Sequence, residues 1–172
     1  MRARKLMLWI FLVSAAAIFL SLLAGYAVAR SAAPTWPDRS RMLSLPYAWT
    51  MTAALASGSV AAAFAVRRTS RVLLSLAAIL GALFLAMQAG EWTRLIHAGA
   101  RLGGNPWGVP QFGAFFFILT GFHGLHVLTG VIWLGIVSAR RRSAWSTLDL
   151  AALYWHFVDG LWLLVFTALY LV

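Results

Sequence analysis

Residues 112–137 read FGAFFFILTGFHGLHVLTGVIWLGIV, and this run decides the fold because it contains no Asp, Glu, Lys or Arg. A helix needs about 20 mostly apolar residues to cross the hydrocarbon core of a bilayer. The run is longer than that, and it lacks the strict alternation that is typical of a transmembrane strand. It is therefore predicted to be a transmembrane helix, and its only ionisable side chains are His123 and His126.

Comparable apolar runs occur throughout the chain. Of the 172 residues, 62% are hydrophobic and only 10% are charged, so little chain remains for a domain outside the membrane. We predict an all-α integral membrane bundle of five transmembrane helices, which form a single domain over residues 1–172. The predicted spans are about 6–29, 47–66, 72–92, 112–137 and 149–172.

The formal net charge of +10 invites a nucleic-acid function, but the basic residues lie in short clusters between the apolar runs. Such clusters are typical of membrane orientation, because cytoplasmic loops carry an excess of Lys and Arg. One side of the predicted bundle has nine: Arg2, Arg4, Lys5, Arg67, Arg68, Arg71, Arg140, Arg141 and Arg142. The other has five: Arg30, Arg39, Arg41, Arg94 and Arg101. We therefore expect the N-terminus inside and the C-terminus outside.

Several kinds of site are excluded by residue type. The chain has no cysteine. Disulfides, iron–sulfur clusters, covalently attached haem and thiolate copper sites are therefore ruled out. The glycine patterns of nucleotide-binding loops are missing as well.

Polar side chains inside the predicted spans are costly, and they form pairs three residues apart, which places both members near one helix face. From the helical rise, His123 lies roughly 16 Å below the outer end of its helix and Asp159 roughly 15 Å above the inner end of the last one. These two residues therefore share a level, whereas Glu91 lies nearer the outer interface. The pairs are Gln88 with Glu91, His123 with His126, and His156 with Asp159.

Three functions compete for this buried polar network. We favour hydrogen bonds that fix helix packing, because buried polar groups must be paired. A proton-conducting or proton-buffering role is the second, because histidine titrates near neutral pH. A metal or haem site is the third, although the paired Glu-x-x-His motifs of a carboxylate-bridged centre are missing.

Two stretches resemble a known family. Residues 119–130, LTGFHGLHVLTG, and residues 154–162, YWHFVDGLW, resemble motifs of subunit III of the haem-copper respiratory oxidases. Weaker similarity covers residues 88–92, QAGEW, and residues 105–108, NPWG. Subunit III usually has seven helices, so this chain resembles a short five-helix form that lacks the first two.

The resemblance implies a non-catalytic component of a bacterial cytochrome c or quinol oxidase in the inner membrane. Such a component stabilises the haem- and copper-bearing catalytic subunit I, accompanies subunit II, contributes to aerobic electron transport and can take up phospholipid. It implies no catalytic, cofactor-binding or metal-binding residue in this chain. The resemblance also implies that four of the polar residues are the family's intramembrane polar positions: His123, His126, His156 and Asp159. The predicted buried polar network consists of these four residues together with Gln88 and Glu91.

One departure from the family pattern bears on proton handling. In the first helix, Trp9 to Ser14 is followed by Ala15, where the family usually has an acidic residue. We expect this carboxylate to have joined Asp159, so its loss favours the packing role.

Other functions stay open at this point. One is a subunit III-like accessory protein of nitric oxide reductase. Another is a small membrane haem protein that uses His126 and His156. A third is a proton or metal carrier, although carriers often show an inverted repeat or a broken helix, and the sequence shows neither.

Overall fold

The computed structural model describes residues 2–38, 42–140 and 145–171. Within these residues, five helices are long and apolar enough to cross a membrane, which confirms the predicted all-α architecture. Four arginines that entered the prediction of orientation, Arg39, Arg41, Arg141 and Arg142, lie outside the described residues. The helices are α1 (Arg2–Ala32), α2 (Leu45–Arg68), α3 (Arg71–His97), α4 (Pro110–Ala139) and α5 (Trp145–Phe166), and α5 continues into a π-helical turn, Thr167–Leu171.

The helices begin and end where the local sequence directs. Proline occupies the first turn of both α2 and α4, where the missing N–H costs nothing because it would have no intrahelical partner. Between α2 and α3, Thr69 adopts a left-handed conformation with a φ of 49°. The hydroxyl of Ser70 then accepts a hydrogen bond from the backbone N–H of Leu73 at 3.4 Å. This two-residue connection makes α2 and α3 packed neighbours.

Helices α2, α3, α4 and α5 form a ring in which each packs against the next, and α5 closes the ring on α2. Helix α1 lies outside this ring and packs against α4 and α5. Most side chains of α1 face outward, since only 17% of the residues in its most apolar stretch are buried. The core is therefore a four-helix bundle with a peripheral fifth helix.

The indole of Trp155 fills the centre of the ring and is completely buried. It lies against Gly58 of α2, Gly81 of α3 and Gly130 of α4. A Cβ at Gly130 would lie 2.9 Å from the indole, and one at Gly81 would overlap it outright. Small residues on three helices thus let the backbones close around one large side chain, as is common in membrane bundles.

Candidate functional site

Glu91 on α3 is the centre of a polar group near one end of the bundle, and it is only 2% exposed. Its Oε2 accepts a hydrogen bond of 2.5 Å from the hydroxyl of Tyr170. Its Oε1 lies 3.7 Å from the guanidinium of Arg94, one helical turn later. Arg94 also donates to the backbone carbonyl of Met42 at 3.0 Å. The carboxylate thus connects α3 to the end of the chain and to the segment before α2.

Tyr170 has no role in the sequence-based prediction, although it holds this carboxylate. It lies in the π-helical turn after α5, where the helix is wound differently. No local sequence signal predicts its contact with Glu91, because the π-helical turn shifts Tyr170 relative to an α-helical register.

A second polar group joins α3 to α4 through Thr120. Gln88 donates from Nε2 to the backbone carbonyl of Thr120 at 2.6 Å, and Trp92 donates from Nε1 to its hydroxyl at 3.0 Å. The Gln88 amide lies against Gly124, where a Cβ would lie 2.9 Å from Nε2. Its Oε1 has no hydrogen-bond partner among the described residues. Gln88 is therefore a packing residue between two neighbouring helices.

His123 of α4 is completely buried in an aromatic environment. Its ring centroid lies 5.5 Å from that of Phe84 on α3, at 89°, and 5.1 Å from that of Trp162 on α5. Neither ring nitrogen has a hydrogen-bond partner among the described residues. The imidazole is thus packed as an aromatic ring rather than hydrogen-bonded.

His126 lies on a different side of α4 and faces α1. Its ring lies between Phe11 and Phe19, with centroid distances of 6.0 and 5.5 Å. Its Nδ1 is 2.7 Å from the backbone carbonyl of Phe122, one turn earlier in the same helix. The hydroxyl of Tyr154 donates to the backbone carbonyl of His126 at 3.0 Å. His126 therefore contributes to the contact between the peripheral helix and the ring.

The last pair, His156 and Asp159, lies on α5. His156 is exposed, and Asp159 is half-buried. The Asp159 carboxylate lies near the side chain of Ser59 on α2 and near His156 on its own helix. The Asp159 Oδ1 and the Ser59 hydroxyl are buried, and neither has a hydrogen-bond partner among the described residues. This pair therefore belongs to the contact between α5 and α2.

Comparison with known proteins matches residues 2–172 to the family of cytochrome c oxidase subunit III. The chain belongs to this family. It is 34% identical to the probable cytochrome c oxidase subunit 3 of Nocardia farcinica, over 95% of this chain and 85% of the relative. It is 31% identical to the cytochrome bo(3) ubiquinol oxidase subunit 3 of Pseudomonas aeruginosa, over 95% of this chain and 82% of the relative.

A third relative, the cytochrome c oxidase subunit 3 of Corynebacterium diphtheriae, is 34% identical over 80% of this chain and 71% of the relative. The family predicted from residues 119–130 and 154–162 is thus confirmed. Membership in the subunit III family favours an oxidase subunit over a small haem protein or a carrier.

In this member of the subunit III family, the six polar residues do not form the single network expected from helix registers. His123 makes no hydrogen bond to Asp159, because neither of its ring nitrogens has a hydrogen-bond partner in the part of the chain that the structure describes. The register fixed the level of each residue along the bundle but not the direction of its side chain. His123 and His126 differ by about 60° around α4, enough to send one ring inward and the other towards α1.

The arrangement of the six polar residues favours a role in helix packing over a metal or haem site. Among residues 2–38, 42–140 and 145–171, no group of three or more His, Cys, Asp or Glu side chains could hold a metal ion. The four histidines of the chain lie in different surroundings. His123 and His126 contact aromatic rings, and His97 and His156 are exposed. The ring of His123 packs against α3 and α5, and the ring of His126 packs against α1.

Proposed function

We propose that this chain is the non-catalytic third subunit of a bacterial haem-copper terminal oxidase in the cytoplasmic membrane. In this role it packs against catalytic subunit I, alongside subunit II, and stabilises it during aerobic electron transport. The match of residues 2–172 to the subunit III family carries the proposal. Relatives named as cytochrome c oxidase and as ubiquinol oxidase subunits both fit it, so the proposal covers an oxidase with either cytochrome c or quinol as its electron donor.

The internal packing supports a structural role for this subunit. The large side chains Trp155 and Trp162 are completely buried, and the polar side chains link helices to one another. The indole of Trp162, for example, donates to the hydroxyl of Thr52 on α2 at 2.9 Å. A rigid bundle of this kind presents fixed outer faces to a neighbouring subunit. We further propose that the haem and copper of the oxidase lie in the partner subunit and not in this chain.

The proposed orientation places the N-terminus in the cytoplasm and the C-terminus outside. Helices α1 and α5 start at the same end of the bundle, because Lys5 and Asp149 lie 3.6 Å apart. The short α2–α3 connection, with Arg67, Arg68 and Arg71, belongs to that end as well, since successive spans alternate in direction. The excess of basic residues at that end supports its cytoplasmic location.

Co-purification tests the proposed function. The full chain carries an affinity tag and is extracted from its native membrane in mild detergent. We expect a larger haem-containing subunit to elute with it, and the chain to become scarce when the gene of that subunit is deleted. Unchanged abundance in the deletion strain, with a monodisperse tagged monomer that binds no partner, would contradict the proposal.

A spectrum of the separated chain is the second arm of this test. The optical spectrum of the co-purified complex should show haem, and the chain separated from its partner should show none. A stoichiometric haem band in the separated chain, lost in His126→Ala, would favour a haem protein instead.

A further inference from the structure

His156 is exposed in the middle of a membrane-spanning helix. It belongs to the apolar stretch Thr147–Leu171. The helical rise places His156 roughly 14 Å from the inner end of this stretch and roughly 22 Å from its outer end. Long Lys and Arg side chains near helix ends reach the lipid headgroups, but a histidine at this depth does not. The ring of His156 is therefore exposed at the level of the hydrocarbon core.

Exposed hydroxyl groups on α1 and α4 are hydrogen-bonded within their own helices. The hydroxyls of Ser14 and Ser21 donate to backbone carbonyls four residues earlier, at 2.9 and 2.8 Å. The hydroxyl of Thr129 does the same at 2.9 Å. The ring of His156, by contrast, has no hydrogen bond to any residue that the structure describes, and its electrostatic neighbour is Asp159 on the same helix. The hydrogen-bonding capacity of this imidazole is therefore left for another molecule.

In the part of the chain that the structure describes, His156 is the only exposed ionisable side chain in the middle third of a helix. His123 is buried in the ring, and His126 lies between two phenylalanines of α1. Ionisable side chains within membrane spans almost always face the interior of a protein or a water-filled cavity. The hydrocarbon core of the bilayer is therefore a poor environment for this side of α5.

Gly160 and Leu163 lie on the same side of α5 as His156. They follow it by four and seven residues, which places the three on one helix face, here named the α5 outer face. A Cβ at Gly160 would meet nothing within 4 Å, so this chain does not need the glycine for its own packing. Leu163 is 49% exposed. Small residues let transmembrane helices approach closely, and histidine side chains hydrogen-bond between them.

From the exposed histidine and the open glycine we infer that a transmembrane helix of the catalytic subunit packs on the α5 outer face. A hydroxyl, amide or carboxyl side chain of that helix forms a hydrogen bond with His156. A neutral imidazole has one donor and one acceptor nitrogen, so each of these groups can pair with it. Gly160 lets the backbone of the partner helix approach, and Leu163 packs beside it. The inference rests on the proposed function, which supplies the catalytic subunit as the partner.

Site-directed photo-cross-linking of the full chain in its native membrane tests this surface. The tagged chain carries benzoylphenylalanine in place of Leu163, and a matched control carries it in place of Ile79 on α3. Both residues are exposed aliphatic side chains, but Ile79 lies outside the α5 outer face. We expect the probe at position 163 to form an adduct with the larger haem-containing subunit, and the probe at position 79 to form none.

Four variants separate the hydrogen bond from the close approach, and each is read as the ratio of the catalytic subunit to the tagged chain after purification. His156→Leu should lower this ratio about threefold, because hydrogen bonds between transmembrane helices contribute about 0.6 kcal/mol on average. His156→Gln should keep the ratio, because an amide still donates and accepts. Gly160→Leu fills the surface and should lower the ratio more than His156→Leu does. Gly135→Leu is its matched control, because an added Cβ there also meets nothing within 4 Å, and it should change nothing.

The inference is overturned if the probe at position 163 reaches only lipid or a second copy of this chain, or if both probes label the catalytic subunit equally. It is also overturned if His156→Gln lowers the ratio as much as His156→Leu, or Gly135→Leu as much as Gly160→Leu. When the wild-type chain still co-purifies with the catalytic subunit, each of these results refutes the docking surface and leaves the proposed function intact. A wild-type chain that co-purifies with no haem-containing subunit refutes the proposed function itself.

Discussion

Replacing Tyr170 by Phe should destabilise the subunit by removing the hydrogen-bond donor to a buried carboxylate. The hydroxyl lies 2.5 Å from Glu91 Oε2, within the range of a charge-assisted O–H···O bond. Hydrogen bonds to charged groups contribute about 1.5–3 kcal/mol. The remaining partner, Arg94, is 3.7 Å away with a side chain that is 51% exposed, and pairs of that kind contribute about 0.2–1 kcal/mol. Arg94 therefore does not compensate for the loss of Tyr170.

A double-mutant cycle with Glu91→Gln isolates this interaction, and SDS-induced unfolding of the purified complex supplies the free energies. We expect Tyr170→Phe alone to cost about 2 kcal/mol and the pair to be coupled by about 1–2 kcal/mol. Tyr47→Phe is the matched control, because Tyr47 donates to a neutral backbone carbonyl, that of Met87, at 2.9 Å. Its cost should be about 1 kcal/mol, with no coupling to Glu91→Gln. Equal costs for the two tyrosines, or coupling within error of zero, would refute the reasoning.

Four other changes test the remaining features. Gly81→Val should destabilise the subunit by about 1–3 kcal/mol, because the valine side chain would overlap the buried indole, and immunoblots should show less of it. Gly135→Val should leave the abundance unchanged in the same immunoblots, because nothing lies within 4 Å of its added Cβ. Asp159→Asn should leave assembly and oxidase turnover normal across pH, and a pH-dependent loss of turnover in assembled complex would instead assign proton handling to it. Ala15→Glu should assemble, whereas Ala15→Glu combined with His126→Leu should not, as read by co-purification. Reporter fusions at the C-terminus should be active outside the cytoplasm, and strong cytoplasmic activity would invert the proposed orientation.

The five spans could be predicted from the sequence because their signal is length and apolar composition, which need no knowledge of neighbours. The described helices extend only a few residues beyond the apolar runs, up to Ala32 in α1 and His97 in α3. These extensions contain polar and charged residues, so the helix continues past the point at which the hydropathy of the sequence drops.

The polar contacts could be predicted only in part. Helical rise gave the levels of His123 and Asp159, but their partners depend on how α4 and α5 are rotated. That rotation is set by packing around Trp155, which rests on glycines of three other helices. The contact between Tyr170 and Glu91 depends further on a π-helical turn, which shifts every later side chain relative to an α-helix. Neither effect has a local sequence signal.

The rotation of α1 determines which residue a carboxylate at position 15, now Ala15, would face. Phe11, Ala15 and Phe19 are spaced four residues apart, so they follow one face of α1. Both phenylalanines contact the ring of His126, and Ala15 lies buried between them. A carboxylate at this position would therefore face His126 rather than Asp159, which lies beside Ser59 on α2. Without that carboxylate, the His126 Nδ1 pairs with the carbonyl of Phe122 in its own helix. This pairing within one helix supplies a partner for the His126 ring where position 15 has no carboxylate, and α1 contacts the ring of helices here through aromatic side chains.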